Sequence, residues 1–380
     1  MIPKKQNKQL VLFFTYGVSL AIWEKAGTLG RDARLYQELQ KHNIDVLFVT
    51  YGKSRREKEL ADRLGISIFY NKWHLPTFLY YVFLPVLLLF QSYKNIGWIK
   101  SHQYIGVFPA YVYARLKKVS YVARGGYLPT YFFAKEKRYS LRRWLKYIFV
   151  SIDEWIVVKK ATVICLPSKE EEEYLQRKYT TCCPNIVYQP NWVDTDTFFP
   201  LPLANKKKDI LFVGRLESQK RPLLFLDAYK KIGKGVSGTL VGTGSLASTV
   251  SDIIADNDLS LHFLHNRLPN NDLIPIYQSH KVYVLTSSYE GGSAKTVLEA
   301  MACGVPVVVT NGFGLAATVT DGYDGFVCPP DPDILAKKID LLLTNESVYT
   351  RMSEHARSTS IQKFSMQAVL KNELAWLHNY

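Results

Sequence analysis

Short apolar runs alternate along this chain with longer stretches in which apolar positions recur every three or four residues. The runs suit strands buried on both faces, and the stretches suit helices with one apolar face. Gln9 to Thr15 and Ile44 to Thr50 (IDVLFVT) read as buried strands, joined through the helix RDARLYQELQKH from Arg31 to His42. Ile105 to Leu116 reads as a helix and Val119 to Ala123 as a strand. VICLPSKEEEEYLQRKY reads as a strand whose Ser168 caps a helix that starts on acidic residues. DILFV (Asp209 to Val213) and Leu240-Val241, followed by Gly242-Thr243-Gly244, predict two further strands with glycine turns. The clearest unit spans Val282 to Thr310. There a strand, VYVLTSS, bends at Glu290-Gly291-Gly292, a helix runs from Ser293 to Ala302, Gly304 and Pro306 stop it, and a second strand covers Val305 to Val309. Repeated strand–helix–strand order implies an α/β fold with parallel sheets and right-handed crossovers.

One run breaks the alternation. LPTFLYYVFLPVLLLF, Leu75 to Phe90, is apolar for 16 residues with prolines at 76 and 85. It is short of the roughly 20 residues that span a bilayer, so it is a helix buried in the core or one lying in a membrane interface. Farther on, NIVYQPNWVDTDTFFP (185–200) and the polar LPLANKKKD have a linker's composition. Since 380 residues exceed what one core usually supports, the chain divides near Val193, into domains over 1–193 and 194–364.

Apolar residues at 47% and charged ones at 21% are ordinary for a folded globular chain. The five cysteines, Cys165, Cys182, Cys183, Cys303 and Cys328, are odd in number and lack a C-x-x-C pair, which predicts a reducing compartment without a disulfide frame or zinc site. MIPKKQNKQLVLFFTYG places basic residues before an apolar run of only seven and has no small-residue cleavage site, so it reads as the first strand and not a signal peptide. Charge is one-sided: residues 1–193 carry 30 Lys+Arg against 14 Asp+Glu, and residues 194–380 carry 18 against 19. A net of +16 confined to the first half calls for an anionic partner, whether membrane leaflet, nucleic acid or charged substrate. Between Lys135 and Lys160, Lys137, Arg138, Arg142, Arg143 and Lys146 interleave with Trp144, Tyr147, Phe149 and Trp155. That is the pattern of a basic amphipathic helix on anionic lipid; a solvated helix face on the sheet competes, and the charge excess favours the membrane. No recognised nucleic-acid module appears.

The chemistry concentrates in a few stretches. A glycine turn that feeds a helix offers backbone N–H groups to an anion, most simply a phosphate, at Gly291, Gly292, Ser293, Ala294, Lys295 and Thr296. Glu290 in the turn and Glu299 in the helix are carboxylates that accept hydrogen bonds from hydroxyls, so the unit describes a sugar-nucleotide pocket. Gly214-Arg215-Leu216-Glu217-Ser218-Gln219-Lys220 brackets one turn with two cations, a pair able to neutralise an anion in a water-poor cleft, with a surface Arg and Lys capping a loop as the competing reading. Gly27 and Gly30 lie between the first two strands, where a ligand crevice belongs and an ordinary turn fits equally well, and His102 ends a later strand, where a structural role competes with a ligand contact.

These motifs resemble those of retaining glycosyltransferases of family 4, which have the GT-B fold of two facing Rossmann-like domains with an interdomain cleft. The family's E-G-F-P-x-x-x-x-E signature has seven residues between its glutamates. Here there are eight, GGSAKTVL, so one extra residue in the glycine turn leaves Lys295 to Gly304 in register and displaces Glu290. The resemblance extends to Gly214-Arg215-Leu216 with Lys220, and to 185–200, similar to P-N-G-V-D-x-x-x-F-x-P with Trp192 in the glycine's place. It implies catalytic roles for Arg215, Lys220 and Glu290, and donor contacts at Gly27, Gly30, Gly214, Gly242, Gly244 and Glu299. His265 and Asn266 fall where the family holds the nucleobase. Arg124-Gly125 replaces a histidine–glycine pair that meets the donor sugar, and with His102 is a candidate for sugar or acceptor contact. The first domain then binds the acceptor, the second binds the nucleotide sugar, and the helix 365–380 returns to the first. The implied activity is transfer of a hexosyl-type sugar from a UDP- or GDP-linked donor to a lipid-linked glycan or glycolipid, in cell-surface polysaccharide or lipopolysaccharide synthesis. The enzyme would work at the cytoplasmic, inner face of the membrane without a tightly bound cofactor. Asp194-Thr195-Asp196 is in the linker motif, and basic side chains stand where a cation would, which implies metal independence. An epimerase or phosphorylase of the same fold would need a water-activating or phosphate-accepting constellation that is not seen. A catalytically silent nucleotide-sugar binder stays open through Glu290 and Arg124.

Overall fold

The computed structural model describes residues 7–135, 140–179, 185–233, 235–266 and 268–380, so Lys137, Arg138, Cys182 and Cys183 lie outside the described residues. Contacts divide the chain into two units, one of Met1–Gln189 with Leu370–Tyr380 and one of Pro190–Val369.

The first unit is built on β1 (Lys8–Phe13), β2 (Ile44–Val49), β3 (Ser67–Phe69), β4 (Ile96–Ser101), β5 (Ser120–Arg124), β6 (Val163–Leu166) and β7 (Ile186–Tyr188). Every pair is parallel, in the order β3-β2-β1-β4-β5-β6-β7. Its helices are α1 (Leu20–Lys25), α2 (Leu29–Lys41), α3 (Arg56–Leu64), α4 (Thr77–Leu89), α5 (Phe108–Lys117), α6 (Pro129–Lys135), α7 (Leu141–Lys160) and α8 (Lys169–Lys178). The last four residues of β1 are buried, as an unbroken apolar run in a parallel sheet requires.

The second unit repeats the scheme with β8 (Lys208–Val213), β9 (Gly238–Val241), β10 (Leu261–Leu264), β11 (His280–Leu285), β12 (Val307–Thr310) and β13 (Gly325–Cys328), ordered β10-β9-β8-β11-β12-β13 and again all parallel. Its helices are α9 (Pro222–Ile232), α10 (Ala247–Asp256), α11 (Asn270–Ser279), α12 (Lys295–Ala302), α13 (Pro332–Thr344) and α14 (Glu346–Thr359); α15 (Met366–Asn379) closes the chain. Both units are thus Rossmann-like. In each sheet the strand order reverses beside the first strand, between β1 and β4 and between β8 and β11. In open α/β sheets such a reversal is the place where ligands bind.

Several elements differ from the sequence reading. α1, which the periodicity does not predict, intervenes between β1 and α2. Its N-terminus is satisfied internally: the Ile22 N–H donates to the Ser19 hydroxyl at 3.2 Å, and the Leu20 and Ala21 N–H groups donate to the buried Glu57 carboxylate at 3.0 and 2.9 Å. Ser168 sits at the α8 N-cap, but its hydroxyl makes no capping bond; the acidic first turn of Glu170, Glu171 and Glu172 supplies the favourable charge instead. The basic segment is two helices, α6 and α7, with the Arg143 N–H donating to the Ser140 hydroxyl at the start of the second.

The divide between the units falls between Gln189 and Pro190. Beyond it, the Val193 N–H donates to the Phe364 carbonyl at 2.8 Å and the Asn191 amide to the Ser293 carbonyl at 2.9 Å, so the proline-bounded segment is tied into the second unit. The chain end belongs to the first unit, where Glu373 pairs with Lys100 on β4, both fully buried, and accepts the Gln189 amide at 2.9 Å.

Candidate functional site

The strand reversal of the second unit sets loops after β8 and β11 side by side. β8 leads into Gly214-Arg215-Leu216-Glu217-Ser218-Gln219-Lys220, and Pro222 in the first turn of α9 fixes the helix start. β11 leads through Thr286 to Ala294 into α12. Hydrogen bonds lock the loops together. The Ser288 N–H donates to the Gln219 carbonyl at 2.8 Å, the Thr286 hydroxyl reaches the Lys220 and Arg221 carbonyls at 2.9 and 2.8 Å, and the Gln219 amide donates to the Tyr289 carbonyl at 2.8 Å.

On this frame the Lys220 ammonium meets the Glu290 carboxylate at 2.5 Å, with both side chains about nine-tenths buried. Arg215 is exposed and donates to the Gln219 side chain at 2.8 Å, which aims its guanidinium along the same loop. Beside them α12 begins without a side-chain cap and without an acid in its first turn, so its dipole end stays positive. Glu299, one turn farther on, is buried and accepts the Tyr277 hydroxyl at 2.9 Å. Burial and the neighbouring Glu299 raise the Tyr277 hydroxyl far above the ordinary phenol range, so it stays a donor. Cations, a helix N-terminus and two carboxylates therefore share one strand reversal, a set able to hold an anion and hydroxyls at once.

The glycines divide into two kinds. A Cβ on Gly242 would lie 1.9 Å from the Gly214 carbonyl oxygen, and one on Gly244 would lie 2.4 Å from that of Leu216. The turn after β9 thus presses backbone to backbone against the cationic loop and shapes it. Gly292 takes φ +59 in the turn before α12, as the sequence reading of a glycine bend requires. Ser293 and Ala294 are buried, while Lys295 and Thr296 are partly exposed at the helix start. His265 follows β10 at the sheet edge, exposed, stacked on Phe263 with centroids 5.4 Å apart; the Asn266 N–H turns back to Leu264 at 2.8 Å.

In the first unit, Gly27 ends the α1 turn at φ +69 and Gly30 sits in the first turn of α2 with nothing within 4 Å of a built Cβ. Neither leaves β1 directly, because α1 intervenes; the glycine that does is Gly17, at φ +76. His102 follows β4 at this unit's strand reversal. Its ring lies 5.1 Å from that of Trp23 and 6.0 Å from that of Phe14. Arg124 ends the adjacent β5, half-buried, and a Cβ on Gly125 would strike the Tyr104 ring at 2.6 Å. The Gly126 N–H donates to the Gln103 side chain at 2.7 Å and stitches the two loops.

Sequence reasoning missed Gln219, Tyr277, Gly17 and the pair Gly312 and Gly314. A Cβ on Gly314 would lie 2.5 Å from the Glu290 carbonyl, and the Glu290 N–H donates to the Phe313 carbonyl at 2.7 Å, so this later loop holds the displaced glutamate. Gln219 falls at an unspecified place of the G-R-L-x-x-x-K pattern, and Tyr277 belongs to another helix; neither carries a local signal. Among the described residues no group of three or more His, Cys, Asp and Glu is gathered as for a metal ion.

Residues 193–359 match the family described as Glycosyl transferases group 1, and residues 33–197 match Glycosyltransferase Family 4. The chain is 28% identical over 185 residues to the N,N'-diacetylbacillosaminyl-diphospho-undecaprenol alpha-1,3-N-acetylgalactosaminyltransferase of Campylobacter jejuni, covering 45% of this chain and 48% of that one. It is 29% identical over 246 residues to the UDP-Gal:alpha-D-GlcNAc-diphosphoundecaprenol alpha-1,3-galactosyltransferase of Escherichia coli, covering 59% and 62%. Thus the chain spans roughly half to three fifths of the length of these curated relatives. In fold it is similar to the Anabaena protein HepE, crystallised with UDP, at a TM-score of 0.76 and 15% identity over 98% of this chain and 100% of that one.

Proposed function

Because the chain belongs to glycosyltransferase family 4, through two matched domains over residues 33–197 and 193–359, we propose that it is a retaining glycosyltransferase moving a hexosyl-type sugar from a nucleoside-diphosphate sugar to an acceptor. The observation that carries this reading is the Lys220–Glu290 ion pair, which joins the β8 loop that also carries Arg215 to the loop leading into the uncapped α12 at the β8–β11 reversal. The donor diphosphate lies against the first N–H groups of α12, with Arg215 and Lys220 beside it. Glu299, oriented by Tyr277, takes the ribose hydroxyls; Glu290 shares Lys220 with the diphosphate and turns its other oxygen to the sugar. The base lies towards His265 and Asn266.

As the anomeric C–O bond breaks, its electron pair passes to the diphosphate, and the two cations neutralise the added charge in place of a metal ion. For retention the acceptor oxygen must bond the anomeric carbon on the face the diphosphate leaves. The nearest base for its proton is then the departing phosphate oxygen. A UDP- or GDP-linked donor suits the site, and UDP is supported by the complex of the Anabaena protein. The names of two relatives contain diphospho-undecaprenol, which supports a lipid-linked acceptor here, in cell-surface glycan or lipopolysaccharide synthesis. His102, at the first unit's reversal, and Arg124 and Gly125, at the end of the adjacent β5, serve as sugar or acceptor contacts. The basic, aromatic α7 suits peripheral attachment to an anionic inner membrane face, and no nucleic-acid partner is proposed.

Calorimetric titration with UDP and GDP, followed by a hydrolysis screen of their sugars, tests the donor reading. The expected result is binding of one nucleotide at least tenfold tighter than the other and slow release of sugar from its derivatives. No binding of either at millimolar concentration would remove it.

A further inference from the structure

Two neighbouring helices of the first unit present apolar stripes to solvent that the donor site does not use. α4 has two apolar faces. Tyr80, Tyr81, Leu84 and Leu88 are buried, whereas Phe78, Leu79, Val82, Phe83, Val86 and Phe90 are exposed, Phe78 by 62% and Phe90 by 80%. At about 100° per residue the exposed set fills one continuous arc of roughly 140°. No charged residue occurs from Thr77 to Phe90, while Lys72, Trp73 and Lys94 are exposed just beyond its ends, Lys72 lying 5.0 Å over the Trp73 ring.

α7 carries the second stripe, Leu141, Trp144, Leu145, Ile152 and Trp155, all exposed and spaced at helical intervals. Arg142, Lys146 and Lys160 follow one edge of it at the same helical pitch. Between its turns, Tyr147, Ile148, Ser151, Ile152 and Trp155 line a shallow groove of about 390 Å³. The two helices are in ring contact through Tyr81 and Phe149, 5.9 Å apart.

Soluble proteins rarely leave contiguous apolar surface of this extent uncovered. A protein partner would need a polar rim matched to its own, whereas the rim here is cationic, aromatic and part of a half-chain of net +16, which is complementary to lipid phosphates. We infer that α4 is a membrane-inserting helix: its exposed stripe enters the acyl boundary of an anionic bilayer while Arg142, Lys146 and Lys160 of α7 hold headgroup phosphates. This rests on the membrane part of the proposed function and adds an element, α4, whose contribution salt does not screen.

The test is sedimentation with vesicles of phosphatidylcholine alone or with 30% phosphatidylglycerol, at low and high salt, using the full chain. Phe78→Ser/Phe83→Ser/Val86→Ser changes only exposed positions. Arg142→Glu/Lys146→Glu/Lys160→Glu reverses the charge of that edge of α7. For the wild type, binding to anionic vesicles that is weakened but not abolished by high salt is expected. The α4 variant should lose roughly tenfold or more at low salt and the whole of the salt-resistant part, with nucleotide binding and thermal midpoint retained. If that variant binds as the wild type does while the α7 variant fails, α4 is not inserted and the membrane reading survives. If the wild type ignores lipid, both fall, and nucleotide titration still judges the donor reading separately. An α4 variant that converts a dimer to monomer without changing vesicle binding would assign the stripe to a second copy of the chain and overturn the inference.

Discussion

Lys220 and Glu290 are 70 residues apart in sequence, yet their side chains form a mostly buried ion pair at the strand reversal. Arg215→Ala and Lys220→Ala should each lower kcat by roughly 10²-fold with the fold retained, since charge preorganised at a leaving group is worth that much. Steady-state kinetics beside thermal melting checks this, and near-wild-type turnover in both variants would sink the donor-site reading. Glu299 and Tyr277 give a graded pair. Glu299→Gln should weaken nucleoside diphosphate binding by about tenfold or more, since a charged hydrogen bond to the ligand is lost. Tyr277→Phe, which only loosens the carboxylate, should weaken it less. Calorimetry that finds the tyrosine change the more damaging would place Glu299 in the scaffold and not the site. That Arg215, Lys220 and Glu290 lie in loops and Glu299 in the helix that follows was legible, because turn and helix signals are local. Tyr277 was not, because its role exists only once α11 packs beside α12.

At the scale of elements, glycines separate turn chemistry from loop packing. Gly242→Ala would drive a Cβ into the Gly214 carbonyl, so it should cost about 1–3 kcal/mol and disorder the loop that carries Arg215. Gly30→Ala meets nothing within 4 Å and replaces a glycine inside a helix, so it should stabilise by about 0.5–1 kcal/mol and leave nucleotide affinity unchanged. Urea unfolding with calorimetry on both variants decides. Loss of affinity in the Gly30 variant alone would restore that glycine to the donor site. Gly27 and Gly30 lie between the first two strands in sequence, and α1, whose first N–H groups bond Glu57, separates them from β1. For α4, both faces are apolar, so no helical period is visible and burial on one side had to be seen in three dimensions.

Across the whole molecule, chain order and spatial membership part company at the C-terminus. Leu370–Tyr380 belongs to the first unit, where Glu373 neutralises Lys100 in a fully buried pair. Glu373→Ala would leave that ammonium buried without its carboxylate and should destabilise by about 3–5 kcal/mol. The double change Lys100→Met/Glu373→Leu removes both charges and should unfold close to the wild type. Equal melting curves for wild type and Glu373→Ala would mean that the pair is solvated and contributes little.

By itself the sequence determined the α/β class, the two-part division, the one-sided charge and the motif residues, since apolar period, net charge and turn chemistry are local quantities written in consecutive positions. The tertiary structure decided which of those residues meet. Strand order, not sequence distance, sets the β8 and β11 loops side by side; close backbone approach, not composition, explains Gly242 and Gly244; and packing on one side only left half of α4 in solvent. Each of these depends on contacts between residues far apart in the chain, whose free energy is realised only after the sheets have assembled.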